Sequence, residues 1–294
     1  MIKEYWVIDD KKIHNETRKI INDFFTTLKV ANRAKLTITT YRGVLKRFFL
    51  DCPKQLSELT PDDVLNWLRK NHRYKKETTI NLFINVLNIF FKYCQTEGYI
   101  DKVMIKRYWK PKLPKTTPKY LDNSELAKVK LCAEKNNIRD RAIVELLVSS
   151  GCRCAEVHYL NIEDLDLTNR TARVIGKGKS LREVHFTETC AILLKKYLKY
   201  HPQNISALFL NKFGKRLGQR SIYNITSVLG KKAGLRRNLG PHCLRHTFAT
   251  RLLAKGAELD FIAEELGHKD INTTRVYARL PSEQIVNLYR RYMG

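Results

Sequence analysis

The sequence predicts a mainly α protein in two parts: an N-terminal helical bundle and a C-terminal, mostly helical domain with one small three-stranded antiparallel sheet. Three observations lead there. Apolar residues return every three or four positions across residues 15–98, a proline- and lysine-rich stretch at 109–119 has almost nothing to bury, and the period then changes from helical to alternating over 162–186 before helices resume. A length of 294 residues fits about two domains of ~150 residues each. The expected boundaries are 1–108, a linker at 109–119, and 120–294.

The first part reads as about four helices. Ile20, Ile21, Phe24, Phe25 and Leu28 mark the apolar face of one. The clearest start is Thr60-Pro61-Asp62-Asp63, which combines a capping hydroxyl, a proline at the first helical position and acids facing the positive end of the helix dipole. That helix turns Val64, Leu65, Trp67 and Leu68 inward. A longer one runs from about Thr78 to Gly98, which supplies a left-handed C-terminal cap. In the linker, Pro111, Pro114 and Pro118 alternate with lysines 110, 112, 115 and 119. Roughly ten extended residues at ~3.3 Å each reach ~30 Å, enough to set two domains well apart. Beyond it come helices at about 124–135 and 139–149, a break at Gly151 and a helix starting near Arg153. Strands follow at 162–167, 171–175 and 181–186, joined by turns at 168–170 and 176–179. Helices are expected again at about 188, 221, 242, 259 and 271, with an amphipathic tail from Pro281 to Met293.

Lys and Arg number 55 against 29 Asp and Glu, a formal charge of +26. So large an excess is self-repulsive unless a polyanion lies against it, which makes nucleic acid the expected partner. Residues 1–116 carry 24 basic and 12 acidic side chains, and residues 117–294 carry 31 and 17. Both parts therefore face phosphate, unlike a neutral enzyme with a basic arm. The seven cysteines are scattered, without the paired spacing of structural zinc, and read as reduced thiols of a cytoplasmic protein. The start has no apolar signal region, and no stretch reaches the ~18 uncharged apolar residues of a membrane span. Secretion and membrane insertion are not expected.

Four local patterns carry chemistry. In Gly151-Cys152-Arg153-Cys154-Ala155-Glu156 a helix start places Arg153 one turn before Glu156; alone, this is a local ion pair. Gly176-Lys177-Gly178-Lys179-Ser180 ends like a phosphate-binding loop, but Arg173 stands where that loop needs glycine, and a strand follows where a helix is required. What remains is Lys177 at a hairpin tip. Gly240-Pro241-His242-Cys243-Leu244-Arg245-His246 opens a helix with His242 and Arg245 on one face. His242 and His246 at i,i+4 suit zinc poorly, because Cys243 replaces the HExxH glutamate and no third ligand is near in sequence; His246 reads as a packing residue. Last, Leu266-Gly267-His268 precedes Thr273, Thr274 and Tyr277, one tyrosine of 14.

Together these patterns resemble the tyrosine recombinase, or phage integrase, family, and in spacing the Xer-like recombinases. The resemblance covers nearly the whole chain. It implies a catalytic set of Arg153, Lys177, His242, Arg245, His268 and Tyr277, with Glu156 as accessory acid and residues 15–98 as a core-binding, SAM-like DNA-binding domain. One departure is Ala155, where relatives usually carry serine or glycine; it removes no catalytic group. The resemblance also implies assembly as a tetramer on two double-stranded DNA sites, and it leaves open whether accessory proteins take part.

The chemistry accounts for this residue set. Attack on a phosphodiester builds charge on the non-bridging oxygens, which two guanidiniums can grip bidentately. Tyr277, with an ordinary pKa of ~10, needs that cationic surround and a base, His242 or a bound water, to attack as phenolate. Lys177 suits protonation of the 5′ oxygen, which leaves badly as an alkoxide. His268 adds a hydrogen bond to the phosphate, and Glu156 orients its neighbours. No metal, nucleotide or other cofactor is expected, since the energy of the broken bond is kept in a 3′ phosphotyrosyl link. The rival expectations are a type IB topoisomerase, which lets one duplex swivel before resealing, and a DNA-binding protein with a dead site. The DNA target and the biological role, whether dimer resolution, cointegrate resolution or element integration, are not legible.

Overall fold

The computed structural model describes residues 4–113, 118–176, 180–202, 204–268, 270 and 273–276. The chain forms two compact units, Met1–Lys115 and Thr116–Gly294, which divide within the proline–lysine stretch.

The first unit is built on four helices, α1 (Asn15–Val30), α2 (Lys35–Asp51), α3 (Pro61–His72) and α4 (Glu77–Thr96). Each buries one apolar stripe, as the period predicts. Phe24, Phe25, Phe48, Phe49, Trp67, Phe90 and Phe91 meet in a single aromatic core. Their rings mostly meet edge to face: Phe48 stands at 90° to Trp67 with centroids 5.2 Å apart, and Phe24 packs at 72° on Phe90 at 5.4 Å. Thr60 caps α3 through a reciprocal box with Asp63, behind which Pro61 sets the first turn. Val64, Trp67 and Leu68 are buried, whereas Leu65 is only half-buried. Gly98 follows α4 at φ +76°, the left-handed stop its position suggests. Trp109, placed in the linker by sequence, packs against this core from a 3-10 turn at Arg107–Trp109.

The second unit surrounds α6 (Ile138–Ser150), in which Ala142–Val148 and Ser150 are all buried. A helix buried on every side has no polar face to show, so its pattern is nearly continuous. Against it pack α5 (Asn123–Glu134), α8 (Glu188–Leu198), α9 (Gln219–Lys232) and α10 (Pro241–Ala254). The short α7 (Cys154–Tyr159) and α11 (Leu259–Leu266) complete the described helices. The sheet has the order β1-β2-β3 and is antiparallel throughout: β1 (Leu165–Asp166), β2 (Thr171–Ile175) and β3 (Leu181–His185). Ala172, Val174 and Val184 turn into the core by the alternation of the pleat.

Two expectations change. The strand expected at 162–167 shrinks to Leu165–Asp166, because the Asn161 N–H donates to Asp164 Oδ2 at 2.9 Å and winds Ile162–Asp164 into a 3-10 turn. The helix expected near 271 falls partly on residues outside the description, and the described residues 273–276 are turn. The expected tail helix at 281–293 lies wholly outside the described residues. No helix among the described residues is long and apolar enough to cross a membrane.

Candidate active site

The site begins where α6 stops. Gly151 ends the helix at φ +61°, and a Cβ there would run into the ring of Phe248, so glycine is required by both conformation and space. Two residues on, Arg153 is the N-cap of α7. Its backbone N–H donates to Glu156 Oε2 at 2.7 Å, and its Nη1 donates to Glu156 Oε1 at 2.7 Å. The i,i+3 pair seen in the sequence is therefore a double contact. The Glu156 side chain is 1% exposed, against 26% for Arg153, so the carboxylate lies behind the guanidinium.

Arg245, on the second turn of α10, is buried. Its Nη1 donates to Gly151 O at 2.7 Å and its Nη2 to Leu266 O at 2.6 Å, with His268 Nε2 at 3.0 Å. The end of α11 gathers these contacts. Gly267 stops that helix at φ +61°, and three consecutive carbonyls each accept from a different arginine: Glu265 O from Arg182 at 2.8 Å, Leu266 O from Arg245, and Gly267 O from Arg153 at 3.2 Å. Terminal carbonyls of a helix have no partner within it and carry the negative end of its dipole. A helix C-terminus is thus a socket for cations, and here it seats two of the predicted catalytic residues side by side.

His268 follows at once. A guanidinium only donates, so His268 Nε2 accepts from Arg245 and the ring proton sits on Nδ1, donating to buried Thr274 Oγ1 at 2.8 Å. Desolvation, then the charges of Arg245, Arg153 and Arg182, push its pKa down to about 4, which leaves it neutral at pH 7. His242 stands exposed on the first turn of α10. Partial desolvation and then the charges of Arg245 and Arg153 lower its pKa as well, which favours the neutral ring beside those cations. The pKa of half-buried His246 falls through burial, then through His242 and Arg245.

Lys177 and Tyr277 lie outside the described residues. The β2–β3 ladder is described up to Ile175 opposite Leu181, with Gly176 N–H donating to Ser180 O at 2.7 Å. A Cβ on Gly176 would sit 3.6 Å from Glu156 Oε1, so the end of the β2–β3 ladder abuts the carboxylate predicted as accessory acid. On the other side, Val276 packs against the cluster of Phe248, Ala249, Ile262 and Leu266. Sequence reasoning missed Arg182, which is in no local motif and meets its partners only through the tertiary fold. It named Thr274 in the pattern after His268 but not its contact with that ring, six positions away. Among the described residues no group of three or more His, Cys, Asp and Glu could hold a metal ion. The cysteines are free, and burial pushes Cys152, next to Arg153, up to about 11.

Residues 119–284 match the phage integrase family, and residues 21–98 match the phage integrase N-terminal SAM-like domain. The first match alone spans more than half of the chain. The chain belongs to the phage integrase family. Tyrosine recombinase XerC of Thermodesulfovibrio yellowstonii is 31% identical over 93% of this chain and 95% of its own length. Tyrosine recombinase XerA of Pyrococcus horikoshii is 31% identical over 90% of both. The crystal structure of XerA recombinase superposes with a TM-score of 0.55 at 28% identity, covering 95% of this chain and 99% of that one. That of XerH site-specific recombinase bound to palindromic difH substrate shares the fold at a TM-score of 0.75 and 23% identity, covering 99% and 92%. As a tyrosine recombinase of Xer type, this phage integrase family member is an enzyme that binds double-stranded DNA and cleaves and rejoins its strands in site-specific recombination. The topoisomerase and inactive-protein alternatives are not favoured.

Proposed function

We propose that Arg153 and Arg245 form the phosphate clamp of this recombinase, that Tyr277 is its nucleophile and Lys177 its general acid, and that four copies exchange strands between two DNA sites in the cytoplasm. The observation that carries this reading is the seating of two guanidiniums on the adjacent carbonyls of Gly267 and Leu266, with His268 alongside. Arginines fixed in this way present a fork of donors that needs no rearrangement when charge develops on the phosphate oxygens.

In the proposed reaction Tyr277 Oη attacks phosphorus, giving its proton to neutral His242 or to water. The bond to the 5′ oxygen breaks, and that oxygen takes a proton from Lys177. A 3′ phosphotyrosyl ester and a free 5′ hydroxyl result. The attack of a partner strand's 5′ hydroxyl on this ester reverses the chemistry and joins new neighbours. The phosphate meets His268 where its Nε2 now accepts from Arg245; the added negative charge raises the pKa of that ring, and the protonated Nε2 donates to the oxygen. The first unit, basic and SAM-like, binds the same duplex.

A nicked suicide duplex, carrying a site selected from random duplexes by binding to the protein, tests the nucleophile. The parent chain should form a covalent adduct that maps to Tyr277 by peptide mass, and Tyr277→Phe should form none. An adduct in the Phe variant would overturn the assignment.

A further inference from the structure

Beside the proposed clamp lies a third arginine that no local motif marks. Arg182, on β3, donates through Nη2 to Glu156 Oε2 at 2.8 Å and through Nη1 to Glu265 O at 2.8 Å. Gly267 makes room for it, since a Cβ there would lie 2.5 Å from Arg182 Nε. The exposures order the three charges in depth. Arg153 is 26% exposed, Arg182 13% and Glu156 1%, so Arg153 faces outward, Arg182 is the more enclosed of the two guanidiniums, and the carboxylate they share lies deepest. Each carboxylate oxygen is taken by a different guanidinium.

Charge explains why one arginine does not suffice. A buried carboxylate paired with Arg153 alone would cancel the charge of that arginine and repel the incoming phosphate. With Arg182 on its second oxygen the trio keeps one net positive charge, and Glu156 can orient Arg153 without neutralising it. We propose that Arg182 is a positioning residue that holds and neutralises Glu156, so that Arg153 presents its full charge to the scissile phosphate. The inference rests on the assignment of Arg153 to the phosphate clamp, and it adds a residue to that site. Arg182 touches no reacting atom. Its contact with Glu265 O also ties β3, the strand that leaves the lysine hairpin, to the end of α11.

The test uses the full chain, the same selected suicide duplex, and three variants: Arg182→Gln, Glu156→Gln and the two combined. Arg182→Gln leaves the carboxylate with Arg153 alone and should slow covalent cleavage roughly 10- to 100-fold, while affinity for the intact duplex stays within about twofold. Neutralising the carboxylate as well should restore at least about tenfold of that loss, because the charge that Arg182 offset is then gone. A purely structural arginine would show no such rescue: loss of a second buried group would add to the damage. Cleavage by Arg182→Gln as fast as by the parent, or a double variant no faster than Arg182→Gln, overturns the inference. Should Arg182→Gln fail to fold, the double variant decides, because folding and cleavage close to Glu156→Gln support the inference and failure to fold overturns it. If the parent chain forms no adduct at Tyr277, the underlying reading falls and the inference with it; an adduct in the parent with unimpaired Arg182→Gln defeats the inference alone.

Discussion

The two units solve the problem of a core in opposite ways. In the first, the described core is aromatic and almost free of polar groups: Thr17 is its one buried polar residue among those described, and it accepts from the backbone of Leu56. In the second, Glu145, Ser150, Glu156, Thr226, Arg245, Thr247, Glu265 and Thr274 are all buried. Several of these surround the ends of α6 and α11. Desolvating a charge costs more than hydrophobic packing of the same volume returns, so buried ions are poor devices for stability. Their concentration in one unit marks where the fold is shaped for chemistry, while the other unit is shaped to hold its surface rigidly in place.

The strongest way to break this contrast is to remove one central side chain from each unit. Phe48 is fully buried against Phe49, Trp67 and Phe91, and Phe48→Ala should destabilise the first unit by about 3–5 kcal/mol. All three tryptophans, Trp6, Trp67 and Trp109, lie in that unit, so tryptophan fluorescence reports its unfolding. Arg245→Ala should instead lower the rate of DNA cleavage by about 100-fold or more and leave the tryptophan-reported transition in place. A shift of that transition by Arg245→Ala as large as that by Phe48→Ala would show that the units unfold as one and that the contrast has no energetic meaning.

A smaller effect is expected from pH. The folded pKa of His268 lies near 4, below the ordinary 6.5 of the unfolded chain. Between those values the unfolded state binds a proton that the folded state does not, so stability from this residue is complete above about pH 6.5 and is lost as pH falls towards 4. The loss should be on the order of 2 kcal/mol, read from urea midpoints of helical circular dichroism at pH 4.5 and 7. His268→Gln should flatten the difference, leaving the contributions of His242 and His246, which have the same sign. An unchanged slope would refute the half-buried, neutral ring.

The mildest probe is the cap of α3. Thr60→Ala removes an acceptor for the Asp63 N–H and should lower the stability of the first unit by about 1 kcal/mol in the same fluorescence assay, without altering cleavage. An effect above about 3 kcal/mol would mean that Thr60 does more than cap.

What could be read in the sequence is what local physics decides. Thr60-Pro61 and Gly98 announce the ends of helices because a cap and a left-handed stop depend on adjacent residues alone. Arg153 and Glu156 show themselves one turn apart for the same reason. Asn161 and Asp164 misled the strand assignment, since a reciprocal side-chain box overrode the apolar alternation beside it. Arg182 stayed hidden: its partners are Glu156, 26 positions away, and the carbonyl of Glu265, 83 away. Nor could the spacing of Gly151 and Gly267 reveal that the carbonyls around them receive the guanidiniums, because only the packing of α6, α10 and α11 brings those chain ends together.

The central claim is a division of labour: the paired arginines hold the non-bridging oxygens, and Lys177 protonates the leaving group. Replacing the bridging 5′ oxygen of the selected duplex with sulfur separates the two, because a thiolate leaves with little need of a proton. Single-turnover cleavage of both substrates by Lys177→Ala and Arg153→Ala is the measurement. The account predicts that Lys177→Ala cleaves the oxygen substrate slowly and the sulfur substrate nearly as fast as the parent, whereas Arg153→Ala remains about 100-fold slow on both. Equal rescue of the two variants, or of neither, would contradict it.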